Sequence, residues 1–432
     1  MIMAKTTEKS TPAGYGTFLS EKVEIEAQQR LLRKKQTDTS RWMSKIAADA
    51  LLSDLSIPGT HDSAAHGSIW PFVSTQNLDI HQQLHAGIRY FDLRCGLRSN
   101  ELQMCHGKAL LGRTLASVLD NMYKFLQSHP SEGLLVQIKQ DRKAEDSTTT
   151  FVHALWELVD THPRFWRTFP TTPTMDELRG KIQLFRRFEG PPYRGIDVSR
   201  WQDNPAQPFL IQTWAGVQIL IQDHYNPSEP EPLPQLIASK GSDVSDMLMR
   251  AAKDKDAGRW YINFVSAYQF NFYYQTPPKA IALGGYWDFV WVEGLNPKLD
   301  GFLKTYRDES ARQNLWQKLR KWLGGRSGRD GDDENERGFR KRFGVILMDY
   351  PDAVPPLIST VIGTNFVKKK KQDKTRWVQP VHLVAMFLLL VFLAGVLLLL
   401  IHGPVDRRSC PPFLHACIPR IRGASWRQDV QN

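Results

Sequence analysis

The sequence predicts an α/β protein: a TIM-type (β/α)8 barrel, imperfect in its regularity, followed by one C-terminal transmembrane helix. Three observations carry this expectation. Short β-rich apolar runs alternate with amphipathic helical stretches between residues 41 and 366, the pattern of βα units around a parallel sheet. The runs number about eight in roughly 320 residues, which suits a barrel better than an open sheet. Finally, residues 383–401 form a stretch of 19 without a charge or a proline, close to what a ~30 Å hydrocarbon core requires.

Residues 1–40 are polar, and their apolar stripe (Val23, Ile25, Leu31, Leu32) is thin; they are expected to form a mobile arm. The strand-like runs are 51–57 (LLSDLSI), 87–95 (GIRYFDLRC), 102–106 (LQMCH), 133–140 (GLLVQIKQ), 181–188 (KIQLFRRF), 217–223 (VQILIQD), 259–266 (RWYINFVS) and 343–349 (FGVILMD). The clearest helix is 114–128. Leu115, Val118, Leu119, Met122, Phe125 and Leu126 recur at three-to-four spacing, which places them on one face. Thr114 is its expected N-cap, and His129-Pro130 ends it. Further helices are expected at 148–161, 233–253, 300–323 and 353–363. The stretch 324–342 is almost free of apolar residues and reads as a disordered insertion before the last strand. Residues 367–379 are a basic linker, 380–402 the membrane span with its flanks, and 403–432 a tail.

A formal net charge of +11 suits anionic partners. No nucleic-acid motif is present, so the expected partners are a membrane lipid substrate and an anionic membrane surface. Four cysteines make no disulfide framework and no zinc pair;. The N-terminal residues carry no apolar signal sequence, and both points favour a reducing compartment. Lysines at 368–371, Lys374 and Arg376 precede the span, whereas Arg407 and Arg408 follow it. By the positive-inside tendency the barrel is expected on the cytoplasmic side, with the tail across the membrane.

In (β/α)8 barrels the chemistry sits at the C-terminal ends of strands. His61, Arg94, His106, Lys139, Arg187, Asp223 and Asp349 all stand at or just past the ends of these runs. Two histidines, several carboxylates and an arginine are the parts needed to move protons around a phosphodiester.

The motifs SIPGTHDS, FDLR, a following HG pair, HPSEGLLVQIKQD, RGKIQLFRRFEG, IQDHY, YINF and VILMDYPD resemble the bacterial-type phosphatidylinositol-specific phospholipase C (X-domain) family. The resemblance spans about residues 40–366. It implies a barrel that converts phosphatidylinositol-type lipids to diacylglycerol and a cyclic inositol phosphate. It further implies His61 as base, His106 as acid, Asp349 as the orienting partner of His61, and Asp62 as the partner of His106. Arg94 clamps the phosphoryl oxygens and Asp92 holds its guanidinium. Lys139, Arg187, Asp223 and Tyr225 match inositol-binding positions. Because Arg94 supplies positive charge where calcium-using relatives place a metal, neither metal nor cofactor is expected.

Two other readings compete. A glycerophosphodiester phosphodiesterase is also a TIM barrel, but its His-Arg-Gly start and metal motif are not found here. A catalytically silent adaptor barrel would have lost a histidine or the arginine, and all three are present. The aromatics of 266–278 (SAYQFNFYYQTPP), with Trp70 and Phe72, fit either a lipid-facing rim or packing beneath a long loop.

Overall fold

The computed structural model describes residues 38–254, 256–305, 342–366 and Leu393. The chain divides into two compact units, residues 1–367 and 368–432, and every described strand belongs to the first. The expected N-terminal arm (but for residues 38–40), the insertion at 324–342 (but for Arg342), the linker at 367–379, the span at 380–402 (but for Leu393) and the tail lie outside the described residues. Among those described, no helix is long and apolar enough to cross a membrane.

Sixteen strands are described: β1 Ser56–Thr60, β2 Tyr90–Arg98, β3 Glu101–His106, β4 Ala109–Thr114, β5 Leu134–Gln140, β6 Trp166–Arg167, β7 Ile182–Arg187, β8 Ile196–Asp197, β9 Phe209–Gln212, β10 Gln218–Gln222, β11 Trp260–Phe264, β12 Gln269–Phe270, β13 Gln275–Thr276, β14 Gly284–Trp287, β15 Val290–Glu293 and β16 Gly344–Met348. The main sheet runs β6-β7-β5-β2-β1-β16-β11-β10-β9. Every neighbouring pair is parallel except β10 with β9. Apart from the short β6, which lies outside β7, chain order follows spatial order around the sheet, as in an α/β barrel.

The imperfection expected of the barrel takes two forms, each with a clear cause. The run 102–106 is not a barrel strand. It forms β3, antiparallel to both β2 and β4, so β2 overshoots the barrel and a hairpin returns over its rim. The sheet also stays open between β7 and β10. The outer edge of β7 takes only the two-residue β6 and β8, and β9 pairs with β10 alone. Side chains close the gap. The rings of Phe185 and Trp260 meet edge to face with centroids 5.1 Å apart, and Trp260 Nε1 donates to Thr172 Oγ1 at 2.9 Å.

The first strand begins later than its apolar run suggests. Leu52–Asp54 is a 3₁₀ turn, whose three-residue period lets Leu52 and Leu55 both bury completely. The strand itself is SIPGT. Gly59 suits the close approach of β2 there, since an added Cβ would stand 3.0 Å from Tyr90 Cβ. Proline also shortens the last helix. Val354 precedes Pro355-Pro356, and the residue before a proline avoids helical torsions, so the helix is Leu357–Gly363 rather than 353–363.

Two of the remaining helices start at threonine caps. Helix Leu115–Ser128 starts at Thr114, whose Oγ1 accepts from Ser117 N at 3.1 Å. Phe151–Thr161 starts likewise at Thr150, and Leu233–Lys253 spans the expected residues. A helix already under way at 295–305 covers the start of the one expected at 300. These helices pack their apolar faces on the outside of the sheet;.

Candidate active site

All seven strand-end residues collect at the C-terminal face of the parallel strands. There a cleft of about 1030 Å³ is lined by His61, Arg94, His106, Lys139, Arg187, Asp223 and Tyr225, among others. Asp62, Asp92 and Asp349 lie just behind it, each 4% exposed or less. The sequence places them there by different routes. His61 follows the last residue of β1, and Asp349 follows the last of β16. These strands are neighbours, with Thr60 opposite Met348. Arg94 lies inside β2, but the pairing of β2 with β5 ends one residue later, at Cys95 opposite Gln140, so Arg94 still marks the barrel rim. His106 arrives on the returning β3 rather than on a barrel strand.

Asp62 adopts φ +41°, a left-handed conformation that Asp tolerates better than most residues. Successive side chains can then face the same space, and the resulting geometry is tight. Oδ2 of Asp62 stands 3.3 Å from His61 Nε2 and 3.3 Å from His106 Nε2. Its Oδ1 is 3.0 Å from Arg94 Nε. The far nitrogen of each ring is also fixed. His61 Nδ1 is 2.9 Å from Asp349 Oδ1, and His106 Nδ1 is 2.8 Å from the carbonyl of Val73. A carbonyl can only accept, so His106 Nδ1 carries a proton there.

Asp92 holds the guanidinium of Arg94 through Oδ2, at 3.2 Å from Nε and 3.1 Å from Nη2. Its other oxygen accepts from Gln137 Nε2 at 2.7 Å. The electrostatics follow from burial and charge. Burial pulls the pKa of His61 down to about 4, against the upward pull of Asp62. Burial pushes Asp349 well above the usual carboxylate range. Asp92 is also buried, which works against its ionised form, but Arg94, His61 and Arg187 outweigh this and hold it at about 2. Arg94 is buried too, and Asp62 and Asp92 keep it firmly protonated.

The outer half of the cleft is built from matched pairs. Lys139 Nζ meets Asp141 Oδ1 at 2.5 Å, and Asp141 also accepts from Gly107 N at 3.0 Å. Arg187 stands 3.7 Å from Asp223 and lies over the ring of Trp201 at 4.2 Å. Trp201 Nε1 donates to Asp223 Oδ2 at 2.8 Å. Tyr225 stacks on Tyr268, with centroids 5.8 Å apart and planes 13° from parallel, and gives its hydroxyl proton to Asp203 at 2.9 Å. Asp141, Trp201 and Asp203 were not singled out from the sequence, and Tyr268 was read only among the aromatics of 266–278. Of the first three, only Asp141 had a signal, two residues beyond Lys139 on the same strand end.

Chemically, the floor of the cleft offers two imidazoles, each with one ring nitrogen committed and the other free to handle a proton, beside a fixed guanidinium. The walls offer hydroxyl-binding ions and a flat aromatic face. Among the described residues no group of three or more His, Cys, Asp and Glu side chains is placed to hold a metal ion.

The family model PI-PLC X 1 matches residues 48–158. A 1-phosphatidylinositol phosphodiesterase of Listeria monocytogenes is 28% identical over 291 residues, covering 65% of this chain and 80% of that protein. A protein of the same name from Staphylococcus aureus is 29% identical over 242 residues, covering 52% of this chain and 74% of its own. Among solved structures, a mutant phosphatidylinositol-specific phospholipase C from Staphylococcus aureus aligns with a TM-score of 0.58 at 23% identity, over 76% of this chain and 98% of its own. In its fold, its family-model match over residues 48–158 and its relatives, the chain is similar to the bacterial-type phosphatidylinositol-specific phospholipase C (X-domain) family.

Proposed function

We propose that the protein is a phosphoric diester hydrolase of the phospholipase C type, cleaving phosphatidylinositol-type lipids to diacylglycerol and a cyclic inositol phosphate. One observation carries the reading. The two histidine Nε2 atoms converge on one oxygen of Asp62 while Arg94 holds the other. Two proton carriers thus flank a point where an anion is stabilised, as an in-line displacement at phosphorus requires.

In the first step His61 Nε2 takes the proton of the inositol 2-hydroxyl. Burial keeps this ring unprotonated at neutral pH, so it is ready to accept. Its Nδ1–H points at Asp349, which supports the imidazolium as it forms. The new alkoxide attacks phosphorus, closing the cyclic phosphate, while the bond to the glyceryl oxygen breaks. Protonated His106 gives its Nε2 proton to that oxygen, with Asp62 beside it. Arg94 lies where charge builds on the phosphoryl oxygens. Lys139, Arg187 and Asp223 take inositol hydroxyls, and the Tyr225 ring takes the apolar face of the inositol.

The test is turnover of phosphatidylinositol vesicles by the full chain with EGTA present. Activity is expected to persist in EGTA, and His61→Ala and His106→Ala should each lower turnover by roughly 10²–10⁴-fold. A single histidine variant near wild-type turnover would remove that histidine from the mechanism. Calcium-dependent loss and recovery would replace the role given to Arg94.

The run 380–402 is proposed as a single C-terminal anchor, with the barrel on the cytoplasmic face. Its support is the uncharged stretch and the lysines before it;. Protease protection on sealed vesicles with tags at both ends tests this. Digestion of the tail with the barrel spared, in cytosol-side-out vesicles, reverses the orientation.

A further inference from the structure

Residues 73–76, on the path from β1 to helix Ile80–Ala86, touch every element that carries the proposed acid–base chemistry. The carbonyl of Val73 accepts from His106 Nδ1 at 2.8 Å. The carbonyl of Ser74 accepts from the Tyr350 hydroxyl, and that of Thr75 accepts from Tyr350 N at 3.0 Å, one residue after Asp349. Thr75 Oγ1 lies 3.2 Å from the carbonyl of His61 and 3.1 Å from that of Asp62. Gln76 Nε2 divides its two protons between the carbonyl of His61, at 2.8 Å, and the carbonyl of Met348, at 3.0 Å. Thr75 is fully buried and Gln76 is 2% exposed. Gln76 is not among the residues lining the cleft.

The position of Gln76 matters because the β1–β16 ladder ends too early. Its last register pair is Thr60 opposite Met348, with one further bond from His61 N to Met348 O at 3.2 Å. His61 and Asp349 both hang just past that point. Their 2.9 Å contact therefore depends on two strand ends that sheet pairing no longer fixes. A primary amide is the side chain suited to tie them, since one nitrogen offers two protons to two carbonyls.

We propose that Gln76 is a positioning residue for the reaction: by joining the ends of β1 and β16 it sets the His61–Asp349 pair, while Val73 on the same segment sets the tautomer and heading of His106. The inference rests on the roles proposed for His61 and His106.

Gln76→Met in the full chain keeps the length and removes both donors. It is assayed on phosphatidylinositol in detergent micelles, beside His61→Ala. The groups facing His61 are Asp62, Asp92, Arg94, His106 and Asp349, with Lys240 also acting on Asp349. All of them are unchanged in the variant, so a moved pH profile reports geometry. The expected result is a fall in kcat of about tenfold or more with KM held within about twofold, because misplacement of roughly 1 Å can cost up to about 10²-fold. The acidic limb of kcat/KM should also move up, toward an ordinary histidine, as water reaches the ring. If that variant does not fold, Gln76→Leu likewise removes both donors without adding a charge; the same fall and shift are expected. A folded variant with wild-type kcat, or one whose kcat falls while the limb stays in place, overturns the proposal. If His61→Ala itself stays active, the underlying roles have failed instead.

Discussion

His61 carries the sharpest expectation at the scale of single residues. Its ring keeps only 14% of its surface open, and burial outweighs the nearby Asp62, so its pKa falls to about 4. A base works only while unprotonated, so competence is lost only as pH falls through that lowered value. The acidic limb of kcat/KM, which reports the free enzyme, is therefore expected near pH 4 rather than near the ordinary histidine value of about 6.5. Initial rates between about pH 3.5 and about pH 8 check this; a limb centred above about pH 6 would mean that His61 titrates as an exposed ring. Arg94 gives a second expectation. Its Nε touches both Asp62 and Asp92, an arrangement that uses the planar fork. Arg94→Lys keeps the charge but cannot reproduce the fork, and turnover should fall by roughly 10²–10³-fold. Full activity in that variant would leave Arg94 with only a general positive potential. The floor of the site was legible in the sequence because its parts sit at strand ends within short motifs. The walls were not. Trp201 and Asp203 come from an irregular stretch after β8, and nothing in local pattern says that such a loop folds back over Asp223. Gln76 was equally hidden, since a buried amide between two carbonyls leaves no periodic trace.

Elements explain why the barrel holds together despite its open seam. At the face opposite the cleft, Arg89 precedes β2 and Glu132 precedes β5, and both are completely buried. Arg89 Nη2 meets Glu132 Oε2 at 2.8 Å. The same carboxylate accepts from Met43 N at 3.2 Å and Ser44 N at 3.1 Å, so it ties the 3₁₀ helix Thr39–Lys45 across the barrel bottom. Glu132→Gln keeps the shape and strands a buried guanidinium. A loss of about 3–5 kcal/mol is expected in urea unfolding. A loss under about 1 kcal/mol would show that the carbonyls of Leu84, Ile88 and Ser40, which Arg89 also contacts, suffice for its charge. Reading elements from pattern succeeded where the apolar runs were long, as in β5, β7 and β11. It failed where a run had two possible destinations. LQMCH is as strand-like as its neighbours, and only the two-residue turn at Ser99-Asn100, both with positive φ, makes it a hairpin partner of β2. The β14–β15 hairpin went unread because its aromatics face outward and so follow no core-facing alternation.

That hairpin bears on how the whole molecule meets its substrate. Phe72 packs edge to face on Phe270, with centroids 5.0 Å apart, and both line the cleft. From there the apolar surface continues outward. Phe272 is 95% exposed and Tyr273 is 72% exposed. Tyr274 contacts Trp287 of β14 at 5.6 Å, and the hairpin presents Tyr286, Phe289, Val290 and Trp291 to solvent. On the loop after β1, Ile69 and Trp70 are 92% and 69% exposed. Left in water, so many large apolar side chains beside one cleft would be costly; at a bilayer surface they would be stabilised. The exposure of Trp70, Phe272, Tyr273 and Phe289 favours a membrane-facing rim over packing beneath a loop. The paired substitution Trp70→Ala with Phe289→Ala separates surface binding from chemistry. Burying one such ring contributes about 1.5–3 kcal/mol, so losing two should weaken vesicle binding by roughly tenfold or more. Neither ring touches the histidines, so turnover of a water-soluble inositol phosphodiester should stay within about twofold of wild type. Vesicle sedimentation and monomer kinetics on the same preparations measure both. Unchanged sedimentation would assign the rim another partner, and an equal loss on the soluble substrate would place these rings in the structure of the cleft itself.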